Sequence, residues 1–144
     1  MIEKAKLVLK KSKIHGKGVF VKVPVEKGVD LLEYRGKRRR WSSCYDDGGS
    51  YVCLMHSEEG YVIDPRIEGN LARFINHSCE PNCLAVLIGK RVFIETLRDL
   101  EANEEITMDY GLTFGCKPKP DDFRRFHCKC GNQKCRGTYL SLAN

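Results

Sequence analysis

No apolar run in the 144 residues approaches the roughly 20 that a membrane-spanning helix needs, so no such helix is expected here. The opening Met1-Ile2-Glu3-Lys4-Ala5-Lys6 leads into an alternating segment, without an apolar stretch of signal-peptide length. An intracellular setting is expected, and no membrane partner. No internal repeat is visible either, which removes any basis for a repeat architecture. Acid is scarce in the first third: Met1–Tyr45 holds 13 Lys or Arg against four acids, a balance of +9 in a chain whose net charge is +6. The remainder is therefore acidic by three charges. The densest basic stretch, Arg35-Gly36-Lys37-Arg38-Arg39-Arg40, reads either as a solvated loop or as a weak nucleic-acid contact, since a neutralised phosphate releases a counterion. Recognition-helix and finger spacings are missing, so charge alone does not make a nucleic-acid protein.

What is present points to one compact domain with many short strands and little helix. Lys6 to Lys10 and Val19 to Val23 alternate around the glycine-bearing turn Ile14-His15-Gly16-Lys17-Gly18. Further strands are expected around Val29–Tyr34, Tyr51–Met55 and Tyr61–Asp64, the last stopped by Pro65; Ser42 to Ser50 reads as a loop. Gly69 to Ile75 is expected to make one or two helical turns ended by Asn76. Leu84–Ile88, Gly89-Lys90 and Arg91–Glu95 form a hairpin signal, and Glu104–Met108 a last strand. Lys117-Pro118-Lys119-Pro120-Asp121 looks like a linker.

Eight cysteines in a short chain suggest a disulfide framework, but three of them crowd into Cys128-Lys129-Cys130-Gly131-Asn132-Gln133-Lys134-Cys135. Cysteines one residue apart are poorly placed to pair with each other, whereas both thiolates can reach one metal. Zinc is the favoured reading. Three thiolates leave a tetrahedral site one ligand short, and Cys79, Cys83, Cys116 and His127 are all candidates for the fourth.

Two other segments carry chemistry. Asn76-His77-Ser78 in isolation is a glycosylation sequon or a helix stop, and the first of these needs a secreted protein. The longer string Arg73-Phe74-Ile75-Asn76-His77-Ser78-Cys79-Glu80-Pro81-Asn82-Cys83 closely resembles the first signature of the SET-domain protein lysine methyltransferases. About thirty residues later, Glu104-Glu105-Ile106-Thr107-Met108-Asp109-Tyr110-Gly111 resembles their second signature, and Cys128-x-Cys130-x4-Cys135 their post-SET zinc motif. The likeness runs from about Lys6 to Tyr139.

The resemblance implies a mostly β (α+β) SET fold of several small curved sheets, with a knot-like threaded crossing and a zinc-bound C-terminal tail. A SET domain over residues 1–115 would be followed by a linker and post-SET tail over 116–144. The implied activity is methyl transfer from S-adenosylmethionine to a lysine amine. By the same likeness Tyr110 is the essential tyrosine and Tyr34, in Glu33-Tyr34-Arg35-Gly36, walls the lysine channel. The cofactor would be met by Gly16, Lys17 and Gly18, by Tyr51, by Asn76 (at the methionyl amine), by His77 and Tyr110, and by Phe126 over the adenine. Cys79 becomes the fourth zinc ligand beside Cys128, Cys130 and Cys135. Tyr51 and Phe126 have packing roles as their plain alternative.

A histone tail is the substrate the family makes first choice, placing the protein in the nucleus or on chromatin, and otherwise in the cytoplasm. Met108 stands two residues before Tyr110, where many relatives have Tyr or Phe. Lacking a hydroxyl to hold water in the space an added methyl needs, it favours di- or trimethylation. A homodimer would supply substrate contacts that so small a chain lacks. The alternative is a non-catalytic SET-like module that binds peptide or chromatin.

Overall fold

The computed structural model describes residues 6–40, 55–58, 61–110 and 127–138. Ten strands and one short 3-10 turn make up the regular structure of these residues. In chain order the strands are β1 Leu7–Lys11, β2 Lys17–Val21, β3 Asp30–Glu33, β4 Lys37–Arg40 and β5 Met55–Glu58. They continue with β6 Tyr61–Asp64, β7 Asn76–His77, β8 Cys83–Ile88, β9 Arg91–Thr96 and β10 Thr107–Met108. Three small sheets result: β1-β2, β3-β9-β8-β10-β7 and β4-β6-β5.

Alternation explains the first sheet. Leu7, Val19 and Val21 are buried, while the lysines among them stay exposed, as period two demands of a half-buried pair. The β8–β9 hairpin forms in the register that its Gly89-Lys90 turn sets, with Ile88 opposite Arg91 and Leu84 opposite Glu95. The helical expectation over Gly69–Ile75 shrinks to a single 3-10 turn, Leu71–Phe74, whose N-cap Asn70 accepts the Ala72 N–H at 3.2 Å. Asn76 does not simply stop a helix: with His77 it makes a strand.

One expectation needs correcting. The stretch read as a basic loop contains β4, paired along its length with β6 from Lys37↔Asp64 to Arg40↔Tyr61. Its arginines serve the fold. Asp64 is fully buried and takes Arg39 Nη1 at 2.6 Å and Arg66 Nη2 at 2.8 Å, which hold its carboxyl well below the usual carboxylate range. Arg38 donates to the Lys90 carbonyl at 2.8 Å and Arg35 lies 3.4 Å from Glu33. Of the strand expected over Tyr51–Met55, Met55 opens β5, Met55–Glu58; residues 51–54 lie outside the described residues.

The last strand divides its partners. Val21 N–H donates to the Glu104 carbonyl (3.0 Å) and Ile106 N–H to the Val19 carbonyl (2.8 Å), so residues 104–106 lie along β2. Thr107 and Met108 then pair in parallel with Asn76 and His77, and Met108 with Cys83. Stretches some thirty residues apart in sequence thus run side by side, which is what the expected crossing requires. Ile75, Ile106 and Met108 are buried at this junction, in the core with Val19, Val21, Leu31 and Ile94. The expected boundary at residues 115 and 116 falls outside the described residues.

Candidate active site and metal centre

Asn82 locks the junction. Its side chain donates to the Glu105 carbonyl (2.8 Å) and accepts the Thr107 N–H (2.8 Å), while its own N–H reaches Thr107 Oγ1 (3.2 Å). At 5% exposure, it satisfies backbone groups that water cannot easily reach. Ser78 N–H adds a bond to the Met108 carbonyl at 3.1 Å.

This frame delivers Tyr110 to His77. The Tyr110 backbone N–H donates to His77 Nδ1 at 3.0 Å, and the two rings meet edge to face with centroids 5.3 Å apart. The Tyr110 hydroxyl donates to the Ile75 carbonyl. His77 has no exposed side-chain surface, and burial pushes its pKa down to about 4; Asp109 pulls the other way and Arg136 opposes protonation. The ring is therefore neutral, and an Nδ1 that accepts a hydrogen bond leaves the ring hydrogen on Nε2. Asp109 Oδ1, 3.6 Å from Nδ1, is then a polar neighbour and not an ion-pair partner. Nε2 faces the Cys79 sulfur at 3.4 Å. Both ring nitrogens are thus occupied within the fold, so any contact of His77 with a cofactor falls to its backbone.

Asn76 joins this junction to the glycine loop. Its Nδ2 donates to the carbonyls of His15 (3.0 Å) and Lys17 (3.1 Å) and to Glu105 Oε2 (2.8 Å). Three acceptors around one nitrogen fix the amide's orientation. The Asn76 side-chain oxygen Oδ1, on a residue only 8% exposed, has no donor among the described residues. A buried acceptor without a donor fits the ammonium of an amino-acid ligand. Lys17 enters the loop through its carbonyl. Gly16 adopts φ +45, and a Cβ on Gly18 would run into the Glu105 carboxylate and crowd Asn76 Nδ2 at 3.2 Å, so both positions need glycine. Glu105 also accepts from Ser12 Oγ at 2.7 Å, closing the loop onto the junction.

Tyr34 is 1% exposed in the core against which Tyr110 packs. Tyr51 and Phe126 lie outside the described residues.

The sulfurs of Cys79, Cys128, Cys130 and Cys135 all lie within 4.8 Å of one another. Cys79 Sγ stands 3.8 Å from Cys128 Sγ and 4.0 Å from Cys135 Sγ. Four sulfurs about 2.3 Å from a tetrahedral zinc would be separated by about 3.8 Å, so the donor set fits that ion. Burial pushes the Cys79 and Cys128 thiols up; at Cys130 burial is outweighed by N–H groups of Cys79 and Asn132, and the thiol falls to about 6. The other candidates are elsewhere: Cys83 is fully buried in β8 with its thiol raised to about 12 by burial, His127 is exposed and paired through its backbone with Thr138, and Cys116 lies outside the described residues.

Side chains that the sequence reading did not single out bind this tail to the body. Arg136 forms a fork on Asp109, both bonds 2.8 Å, and its backbone N–H points at Cys79 Sγ (3.4 Å). Asn132 Nδ2 donates to Ser78 Oγ at 2.7 Å, and Lys134 lies 3.8 Å from Glu80.

The profile of the SET domain matches residues 16–111, two-thirds of the sequence and the whole of the junction just described. The chain belongs to the SET-domain family. Among similar proteins is the "Histone-lysine N-methyltransferase trithorax" of Drosophila virilis, 34% identical over 139 residues, covering 88% of this chain and 3% of that protein. The "Histone-lysine N-methyltransferase, H3 lysine-4 specific" of Candida albicans is 36% identical over 142 residues, covering 91% and 13%. Human "Histone-lysine N-methyltransferase 2B" is 35% identical over 139 residues, covering 88% and 5%. This SET-domain chain thus spans only a small fraction of those relatives' length, yet the likeness extends beyond the domain match toward both ends.

Proposed function

We propose that the chain is a protein-lysine N-methyltransferase that uses S-adenosylmethionine, with a lysine of histone H3 as substrate, in keeping with the names of its relatives. The observation that carries this reading is the meeting of Tyr110, Asn76 and His77 at one junction. When bound, S-adenosylmethionine supplies an electrophilic methyl on a sulfonium. Asn76 would receive its ammonium on Oδ1, and the His15–Gly18 backbone would line the same end. The four cysteines would hold one structural zinc.

The residues around Tyr110 suit an in-line displacement. Lysine, with a pKa of about 10.4, arrives protonated, and an apolar channel walled by Tyr34 and Tyr110 favours the neutral amine by withholding water. Because the Tyr110 proton is donated to the Ile75 carbonyl, the hydroxyl offers its lone pairs to the amine N–H and so aims the nitrogen. His77 cannot take the proton: its Nδ1 already accepts the Tyr110 N–H. The proton leaves through water. Alignment of this kind can remove several kcal/mol from a barrier, roughly 7–11 at the upper end.

Met108, 2% exposed between His77 and Cys83, supports di- or trimethyl product, since its side chain has no hydroxyl to retain a water there. Histone substrate implies a chromatin location. The division into a SET domain to residue 115 and a zinc-holding tail from 116 follows the same reading, and a homodimer remains part of it as a source of substrate contacts. The test is labelled methyl transfer onto histones, nucleosomes and a cell lysate, followed by mass-spectrometric mapping. Label on an H3 lysine, as di- or trimethyl, is expected; cofactor binding without transfer to any protein would reject the enzyme.

A further inference from the structure

We infer that the β1–β2 hairpin is a docking surface for the phosphate backbone of double-stranded DNA. Residues 6–22 contain Lys6, Lys10, Lys11, Lys13, Lys17 and Lys22 and not one acid. All six lysines are exposed, and no described acid makes an ion pair with any of them. Lys10 lies over the Phe20 ring at 4.5 Å, whereas several arginines elsewhere are held by acids: Arg39 and Arg66 on Asp64, Arg91 on Glu33, Arg98 on Glu104, Arg136 on Asp109. In β4, part of the stretch named at first as a nucleic-acid contact, Arg39 is held by Asp64 and Arg38 by the Lys90 carbonyl.

Register sharpens the contrast. Lys11 stands directly opposite Lys17, and the Lys22 N–H donates to the Lys6 carbonyl at 2.9 Å, so Lys6 and Lys22 sit abreast. Like charges placed opposite one another across a strand pair destabilise it. Lys6, Lys10 and Lys22 share one face of the hairpin and Lys11 and Lys17 the other, and a phosphate beside either pair relieves its repulsion.

The hairpin has no exposed apolar anchor: among the described residues, the exposed large hydrophobic ones are Ile67, Leu84, Leu87, Ile88 and Leu97, all outside it. Protein partners usually require such a core, whereas a polyanion is held by counterion release. Lysine also suits phosphate as a mobile point charge. The hairpin's turn reaches the active site, since the His15 and Lys17 carbonyls hold Asn76. DNA on the hairpin would therefore bring a tail that emerges beside that DNA to Tyr110, a consequence that rests on the proposed methyltransferase reading. Binding itself does not.

The test uses the full chain with Lys6→Gln, Lys10→Gln, Lys11→Gln and Lys22→Gln combined, and a short DNA duplex titrated between 50 and 200 mM salt. Four lost phosphate contacts flatten the log–log salt slope by about 3.6. Duplex affinity at 50 mM salt should fall at least tenfold, while the same four positions changed to Arg, and the Arg38→Gln/Arg40→Gln pair, stay within twofold of the parent. Parental affinity in the Gln variant, loss in the Arg variant, or competition by polyglutamate as effective as by duplex would each overturn the inference. With an active enzyme, the Gln variant should methylate nucleosomes about tenfold more slowly and a free histone-tail peptide at the parental rate. An equal loss on both substrates overturns the DNA role, whereas a chain that methylates neither substrate yet shows the duplex result would reject the enzyme alone.

Discussion

The junction of residues 76–83 with 104–110 and the tail of residues 127–138 meet at Cys79, yet different forces hold them. The junction is built from strand pairing, buried apolar side chains and neutral hydrogen bonds such as those of Asn82. The tail contributes one isolated bridge, His127↔Thr138, and two residues classed as buried, Cys128 and Thr138. It depends on four sulfurs, a fork on Asp109 and a bond to Ser78. The first should persist wherever the domain folds; the second should come and go with its metal. Separating the two is the most direct way to test this division.

Metal removal should have the largest effect. Structural zinc in small thiolate sites contributes apparent binding free energies of about 10–16 kcal/mol near neutral pH. Chelation, or Cys79→Ser, should release one zinc per chain by metal analysis, open residues 127–138 to proteolysis and abolish methyl transfer. The far-UV spectrum of the β body should persist. If the body unfolds together with the tail, the two regions form one cooperative unit and the comparison fails.

Tyr110→Phe should come next. It removes the oxygen proposed to aim the amine but keeps the ring against His77 and the core. Loss of one such well-placed polar group typically costs 10²–10³ in turnover. Zinc content and cofactor affinity should stay within about twofold, as measured by metal analysis and calorimetry. Near-parental turnover would take Tyr110 out of the reaction.

Asn82→Ala attacks the junction alone. It strips partners from the Glu105 carbonyl and the Thr107 N–H, both in a poorly hydrated setting, and should cost about 2–3 kcal/mol of unfolding free energy. Denaturant melts should show the loss, with zinc stoichiometry unchanged in the folded protein.

The sequence made this division partly legible. Two signature strings and three closely spaced cysteines stood out because their residue types lie together along the chain. The β8–β9 hairpin was visible because Leu84–Ile88 and Arg91–Glu95 flank a two-residue turn. Strand β4 was hidden: Lys37-Arg38-Arg39-Arg40 offers no contrast between apolar and polar positions, and its pairing with β6 depends on a buried Asp64 more than twenty residues away. Asn82, Glu105 and Asp109 escaped notice for a related reason. Each satisfies a group far away in sequence, and no local spacing encodes such a contact. His77 was expected at the cofactor, and its ring proved to be the internal link between Tyr110 and Cys79.

The smallest effect should lie where the two regions touch. Arg136 follows a sulfur ligand in sequence and grips Asp109, the residue before Tyr110, with two bonds of 2.8 Å. The pair is partly open to solvent, with side chains 20% and 39% exposed, so its removal should cost about 0.5–1 kcal/mol. If the tail only covers the site, Asp109→Asn should leave turnover at the parental value. If the fork helps to fix Tyr110, turnover should fall a few-fold with the peptide KM and zinc content unchanged. The exchanged pair Asp109→Arg/Arg136→Asp should then recover part of the loss, and raised salt should narrow the gap between parent and variant, because an exposed fork is screened. We expect the second pattern: the fork adds a charged link, next to Tyr110, to the contacts the two regions make at Cys79, Ser78 and Glu80. Parental turnover in Asp109→Asn would reduce the tail to a cover, and a loss of zinc in the same variant would show that the fork supports the metal and not the tyrosine.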